Sequence, residues 1–226
     1  PEDRNPWIHV PLGYGKNVSN PAVNWCFQSE PEAELYGQSY MLPRGKVIGG
    51  SSSINGMVYV RGQPRDYDIW AQMGCAGWSY DDVLPYFRKA ENNERGASDV
   101  HGVGGPLDVS DITEQGTLCD AMVRAGVEIG LPYNEDINSG EQDGIGPHQA
   151  TIFRGRRAST AQAYLKPARR RSNLHVQPNA TACRVIFDGK RATGVEYMRG
   201  DEKVIERARR EVILSGGAFN SPQLLE

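Results

Sequence analysis

Gly45-Lys46-Val47-Ile48-Gly49-Gly50-Ser51-Ser52-Ser53-Ile54-Asn55-Gly56-Met57-Val58-Tyr59-Val60 sets two adjacent glycines and three serines between apolar flanks. Adjacent glycines let a backbone take positive φ and approach a ligand with no Cβ in the way. The hydroxyls and N–H groups that follow can donate to phosphate oxygens. A flexible Gly/Ser linker has a similar composition, but a tether needs no apolar walls, and here a single amide, Asn55, sits inside the tract. Composition and spacing therefore lead to an ordered cradle for a phosphate or cofactor, and stop there. No Gly-Lys-Ser/Thr closes a P-loop, and no Gly-x-Gly-x-x-Gly is present.

Working outward, residues 1–44 are rich in Pro, Asn and Gly and carry six aromatics (Trp7, Tyr14, Trp25, Phe27, Tyr36, Tyr40), which suits an ordered covering loop better than disorder. Residues 78–91 read as a helix capped by Ser79, with Asp82 as capping-box partner, Arg88 and Lys89 near the end, and a bend at Pro85. A second helix fits 114–129, with Leu118, Met122, Ala125 and Ile129 on one face and Gly130 as the stop. Residues 131–157 read as a loop. Ser159 or Thr160 then caps a short helix, Ala161 to Leu165, ending near Pro167. Strands are expected at 174–177, at 185–187 and 194–197 around an Asp188-Gly189-Lys190-Arg191 turn, and at 211–214. Asn220-Ser221-Pro222 reads as the cap and first turn of a helix that begins at Gln223.

The 226 residues, 38% of them apolar, suffice for one large domain or two small ones. A formal charge of −3, from 25 basic and 28 acidic residues, argues against nucleic-acid binding, and the two local basic clusters, Arg154 to Arg157 and Arg169 to Arg171, read as solvated or helix-capping features rather than a polyanion site. No apolar run approaches the ~18 residues of a membrane-spanning helix. The four cysteines are scattered, which favours reduced structural thiols and a cytoplasmic setting over a disulfide scaffold or zinc site, with membrane association left open. His9, His101, His148 and His175 read as surface or hydrogen-bonded structural residues, with no spacing that makes a metal site.

The tract from Gly45 to Gly62, with Asp66-Tyr67-Asp68 and Trp70 behind it, resembles the first signature of the glucose–methanol–choline (GMC) oxidoreductases. The likeness continues through Asn24-Trp25 with Pro31, Gly77-Trp78-Ser79, Leu84 to Phe87, His101-Gly102 with Gly105-Pro106, Arg156 to Ala161, Ser215 to Ala218 and Ser221 to Leu225, most closely to choline-dehydrogenase-like and aliphatic alcohol dehydrogenase members. The resemblance implies a mixed α/β fold: a partial FAD-binding, Rossmann-like domain with part of a substrate-cap domain. It divides the chain into a covering loop (1–44), a flavin-contacting loop with intermediate helices (45–108), part of the cap region (109–165) and strands of the FAD domain (166–226).

Position by position, the resemblance places Val47, Gly50 and Ser51 along the FAD pyrophosphate and ribityl chain. It sets Asn55, Gly56, Met57 and Val58 beside the isoalloxazine ring, Val185 against the adenine, and Ser215 and Gly216 on the dinucleotide. Ile54 stands where some members carry a flavin-linking His, so FAD is expected to be non-covalent. The reading expects truncation at both ends. The Gly-x-Gly-x-x-Gly unit would precede Pro1 and the catalytic His would follow Glu226, so no catalytic residue is assigned and this chain alone is expected to be inactive. The implied reaction is oxidation of a primary alcohol to an aldehyde by hydride transfer to flavin N5, with the acceptor unread. The competing readings are a hydroxynitrile lyase on the same fold and a non-catalytic binding module.

Overall fold

A computed structural model of the chain describes residues 3–112 and 116–226. The chain forms two compact units, Pro1–Leu174 and His175–Glu226.

In the first unit, the segment before the glycine tract is built of short pieces: α1 (Pro6–His9), a 3-10 turn at Pro11–Gly13, α2 (Tyr14–Asn17), and a two-residue ladder between β1 (Phe27–Gln28) and β2 (Met41–Leu42). Buried Asn24 ties this segment to the tract. Its Oδ1 accepts from the amides of Cys26 and Arg44 at 3.0 and 2.9 Å, and the Lys46 amide donates to Val23 O at 2.7 Å. Ile8, Val23, Val47 and Ile54 then meet in one apolar cluster, so the tract is walled by the segment that precedes it.

Beyond the tract come β3 (Val58–Tyr59), α3 (Pro64–Gln72), α4 (Tyr80–Ala90), β4 (Glu91–Asn93), β5 (Leu107–Asp111), α5 (Gly116–Glu128), β6 (Gln149–Ala150), β7 (Ile152–Phe153) and β8 (Arg156–Arg157). A sheet of order β3-β6-β5-β4, antiparallel except for the parallel β4–β5 pair, continues directly from the tract. The expected α4 cap is present: Ser79 Oγ accepts from the Asp82 amide at 3.3 Å and Asp82 Oδ2 accepts from the Ser79 amide at 3.1 Å. Helix α3 has a Gln63/Asp66 capping box of its own and Pro64 in its first turn. Of the expected 114–129 helix, residues 114 and 115 lie outside the described residues. Its face is turned the other way. Leu118, Met122 and Ile129 are exposed, and the helix is buried at Gly126, where the Ile145 side chain leaves no room for a Cβ. The 131–157 segment holds β6, β7 and β8 where sequence indicated only loop. The helix at Ala161–Leu165 is a π-turn that runs on through Pro167 into α6 (Lys166–Ala168), past its expected end near that proline.

The second unit is an antiparallel sheet of order β11-β10-β9, from β9 (Ala180–Asp188), β10 (Arg191–Arg199) and β11 (Glu202–Arg207), followed by α7 (Gly217–Gln223). The hairpin turns at Gly189-Lys190, as the sequence indicates, and β11 was not anticipated. Residues 174–177 and 211–214 are not strands: an apolar run becomes one only when a neighbour completes its ladder, and no described segment does. Helix α7 begins six residues before the expected start and contains Pro222. Ser221 Oγ accepts from the Gly216 amide at 2.9 Å, so it closes the helix start from within.

Candidate functional site

The glycine tract is a single 3-10 turn, Gly50–Ser53, entered through two residues of positive φ, Gly49 at +93° and Gly50 at +54°. The two glycines serve different neighbours. A Cβ on Gly49 would run into Ser53 Oγ and sit 3.1 Å from Ala161 Cβ, so the protein itself fills that side. A Cβ on Gly50 or Gly56 would meet nothing within 4 Å. Gly45 is a third close approach, because a Cβ there would strike the Gly50 carbonyl.

Side chains divide along the same line. Val47, Ser53, Ile54 and Met57 are buried, whereas Ser51, Asn55, Gly56 and Val58 are exposed. Val47 and Met57 can thus offer only backbone to a ligand. Two of the serines are spent inward, Ser53 Oγ on Ile48 O at 2.9 Å and Ser52 Oγ on Gly49 O at 2.6 Å. Ser52 also accepts from the Thr160 amide at 3.0 Å, joining the tract to the π-turn. Ser51 Oγ accepts from the Gly45 amide at 3.1 Å and keeps its own proton on the open side. The outward face therefore offers glycine backbone, one hydroxyl and one amide: a polar, Cβ-free surface suited to a flat or phosphate-bearing ligand.

Two buried charges hold this loop. Arg157, 3% exposed, lies behind it. Its Nε donates to Ile8 O at 2.8 Å, and its Nη1 to Ser52 O at 3.1 Å and Asn55 Oδ1 at 2.7 Å. Burial lowers the guanidinium to about 10, opposed by the charge of Asp3, so it stays charged at neutral pH. The second charge is Arg61, at the loop's far end. Its Nη2 donates at 2.7 Å to Glu91 Oε2, and Glu91 is fully buried. Glu91 also accepts from His101 Nδ1 at 3.0 Å, Asn93 Nδ2 at 3.0 Å and the Gly102 amide at 2.9 Å, while His101 Nε2 lies 2.7 Å from Asp136 Oδ2. Burial alone would raise the Glu91 carboxyl, but the hydrogen bonds from His101, Gly102 and Asn93 outweigh it and hold it low. The Glu91 and Asp136 carboxylates raise His101, against the effect of its burial. A carboxylate on each ring nitrogen favours the protonated form of His101, consistent with the structural role its sequence context indicated.

The sequence reading of Arg154 to Arg157 as a solvated or helix-capping cluster is corrected at Arg157, which is buried because its guanidinium bonds backbone and amide oxygens of the glycine tract and of α1. Sequence reasoning names no role for Glu91, Asn93, Asn138 or Gln149, and Glu91 is visible there only as the residue closing a helix. The structure gathers Val47, Gly50, Ser51, Asn55, Gly56, Met57 and Val58 on one loop. Val185, Ser215 and Gly216 belong to the second unit. There Val185 is buried opposite Val195, and Ser215 and Gly216 are exposed ahead of α7. Among the described residues no group of three or more His, Cys, Asp or Glu is arranged to hold a metal ion, and no helix is long and apolar enough to cross a membrane.

The chain is 46% identical over 223 residues to the oxygen-dependent choline dehydrogenase of Brucella anthropi, covering 99% of this chain and 40% of the relative. It is 46% identical over 218 residues to human mitochondrial choline dehydrogenase, covering 96% and 37%. Pyridoxine 4-oxidase from Mesorbium loti superposes with a TM-score of 0.93 at 33% identity, covering 99% of this chain and 44% of that one. Formate oxidase superposes at 0.86 with 27% identity, covering 99% and 40%. The chain thus spans about 40% of the length of the curated relatives it matches. The sequence model of the family described as GMC oxidoreductase matches residues 24–226, and the chain belongs to that family.

Proposed function

We propose that this chain is the central flavin-contacting part of an FAD-dependent oxidoreductase that converts a primary alcohol, choline-like or aliphatic, to its aldehyde. The observation that carries the reading is the two-sided loop: Val47, Ser53, Ile54 and Met57 are fixed inward, while Gly50, Ser51, Asn55, Gly56 and Val58 present an open face. The choline dehydrogenases among its relatives support the substrate class.

When bound, FAD supplies the sink that accepts hydride from the alcohol carbon. The chain's own part is to bind and orient it. Gly50 and Ser51 would line the pyrophosphate and ribityl chain. Asn55 and the backbone of Gly56 to Val58 would face the polar edge of the ring. Val185, whose side chain is buried, would offer only backbone to the adenine, and Ser215 its hydroxyl. Binding is non-covalent, because Ile54 is 3% exposed and carries no nucleophile.

The test is the absorption spectrum of the complete protein before and after acid precipitation, followed by anaerobic addition of choline and of aliphatic primary alcohols. Flavin released to the supernatant and bleached by one of these alcohols is the expected result. Flavin retained in the pellet would overturn the non-covalent assignment. A bound flavin that no alcohol bleaches would overturn the redox reading in favour of lyase chemistry.

A further inference from the structure

Arg157 and Asn55 are 102 residues apart in sequence, yet they share a 2.7 Å hydrogen bond at the edge of the open face. Asn55 Oδ1 accepts from the Met57 amide as well, at 3.1 Å. Two donors on one atom settle the orientation of the carboxamide, because its NH2 group cannot take that place. The Nδ2 protons find no acceptor among the described residues. Asn55 is thus a donor held outward by a cation behind it. Donation into Oδ1 from a charged group also polarises the amide and strengthens whatever bond Nδ2 makes.

The rest of the Arg157 environment shows a charge retained at a cost. The side chain is buried, and among the described residues no carboxylate is hydrogen-bonded to it and Nη2 has no partner. A buried cation with an unused donor and no hydrogen-bonded carboxylate, offset by the charge of Asp3, is unfavourable for folding, so stability alone does not account for it. The other two bonds go to backbone carbonyls, Ile8 O and Ser52 O, which fix the planar guanidinium in register with the loop. The ammonium of a lysine is a single point donor and cannot span the three acceptors.

We propose that Arg157 is a positioning residue for the flavin, acting through Asn55, whose amide it orients and polarises toward the ring's polar edge. This rests on the flavin reading above. The experiment uses the complete protein with Arg157→Lys, Asn55→Ala and the double variant. Flavin content, visible spectrum, reduction potential and the anaerobic rate of flavin reduction by choline are measured for each.

Arg157→Lys is expected to retain flavin, shift its spectrum, lower its potential and slow reduction roughly tenfold, the effect of one charge-assisted hydrogen bond. In the Asn55→Ala background the same change has little further effect, since the group through which Arg157 acts is gone. Equal effects in both backgrounds, or an unchanged potential in Arg157→Lys, would overturn the proposal. Should Arg157→Lys not fold, Asn55→Asp serves instead. Its carboxylate accepts both bonds and pairs with Arg157, so it melts above Asn55→Ala, while loss of the outward donor lowers the potential. An Asn55→Asp protein no more stable than Asn55→Ala, or one of unchanged potential, overturns the proposal too. A wild-type protein without flavin refutes instead the reading on which it rests.

Discussion

Replacing Glu91 tests the interior of the first unit most severely. Its carboxylate is wholly buried and takes hydrogen bonds from Arg61, His101, Asn93 and the Gly102 amide, all between 2.7 and 3.0 Å. Among the described residues, Glu91→Ala removes the only carboxylate that the Arg61 guanidinium bonds and one of two that His101 faces. His101 can shed its proton. Arg61 cannot, and among the described residues it keeps hydrogen bonds only to Val100 O at 2.7 Å and the Tyr59 hydroxyl at 3.2 Å, with the Tyr59 and Phe87 rings beside it. Breaking a buried pair from one side costs on the order of 3–5 kcal/mol, and the vacated volume adds to this, so a loss of about 4 kcal/mol is expected. Glu91→Gln keeps one carbonyl acceptor but turns an NH2 toward cationic donors, for a loss of about 2 kcal/mol. The assay is urea unfolding of the complete protein followed by tryptophan fluorescence, with midpoints compared at equal m. A cost below about 1 kcal/mol for Glu91→Ala would mean that water reaches Arg61 and that the network is not the closed unit described here.

Stability should also depend on pH through His101. Its folded value is raised, so its contribution is complete below the ordinary imidazole value of about 6.5 and is lost as pH rises through the folded value. Urea midpoints should therefore fall on the alkaline side of about 6.5 and His101→Gln should flatten that limb; an unchanged limb counts against the imidazolium. Gly49→Ala forces a left-handed residue into Ser53 and should cost roughly 3 kcal/mol in the same assay. Gly50→Ala, in open space, should cost only about 1 kcal/mol yet lower flavin content, and equal effects of the two on stability would refute the two-sided loop. Ser79→Ala should remove about 1 kcal/mol through the lost α4 cap while flavin content stays at the wild-type level, as flavin absorbance per protein would show.

What could be read from the chain was what is local. Ser79 and Asp82 are three residues apart, so their reciprocal cap is written in the sequence, and the Gly189-Lys190 turn is flanked by the strands it joins. The 174–177 and 211–214 segments fail as strands because apolar composition states a preference while pairing is decided by a distant neighbour. Pro222 misled for a related reason: proline is favoured in a first turn, but α7 accepts it near its end, closed by Ser221 reaching back to Gly216. At the site, the glycine tract declared itself by residue type. Its supports did not, because Arg157 meets Asn55 and Ser52 across more than 100 residues, and Arg61, Glu91, His101 and Asp136 converge from four segments.

That division has a physical consequence for the loop. Around it the buried polar residues are as prominent as the apolar ones: Asn17, Asn24, Ser53, Arg157 and Ser159 on one side, and Arg61, Glu91, Asn93, His101, Asn138 and Gln149 on the other. An apolar contact fixes separation but leaves a backbone free to rotate. A hydrogen bond fixes direction as well, and a buried one does so in a medium that offers no substitute partner. The strands here are only two or three residues long at β3, β4 and β6, too short to orient the loop by themselves. Anchoring one end on Arg157 and the other on Arg61, with Glu91 and His101 behind it, replaces the missing length with direction. A ligand face made mostly of glycine backbone has few side chains to adjust on binding, so its geometry has to be set from behind. Charges too costly to be kept for stability alone are the groups best able to set it.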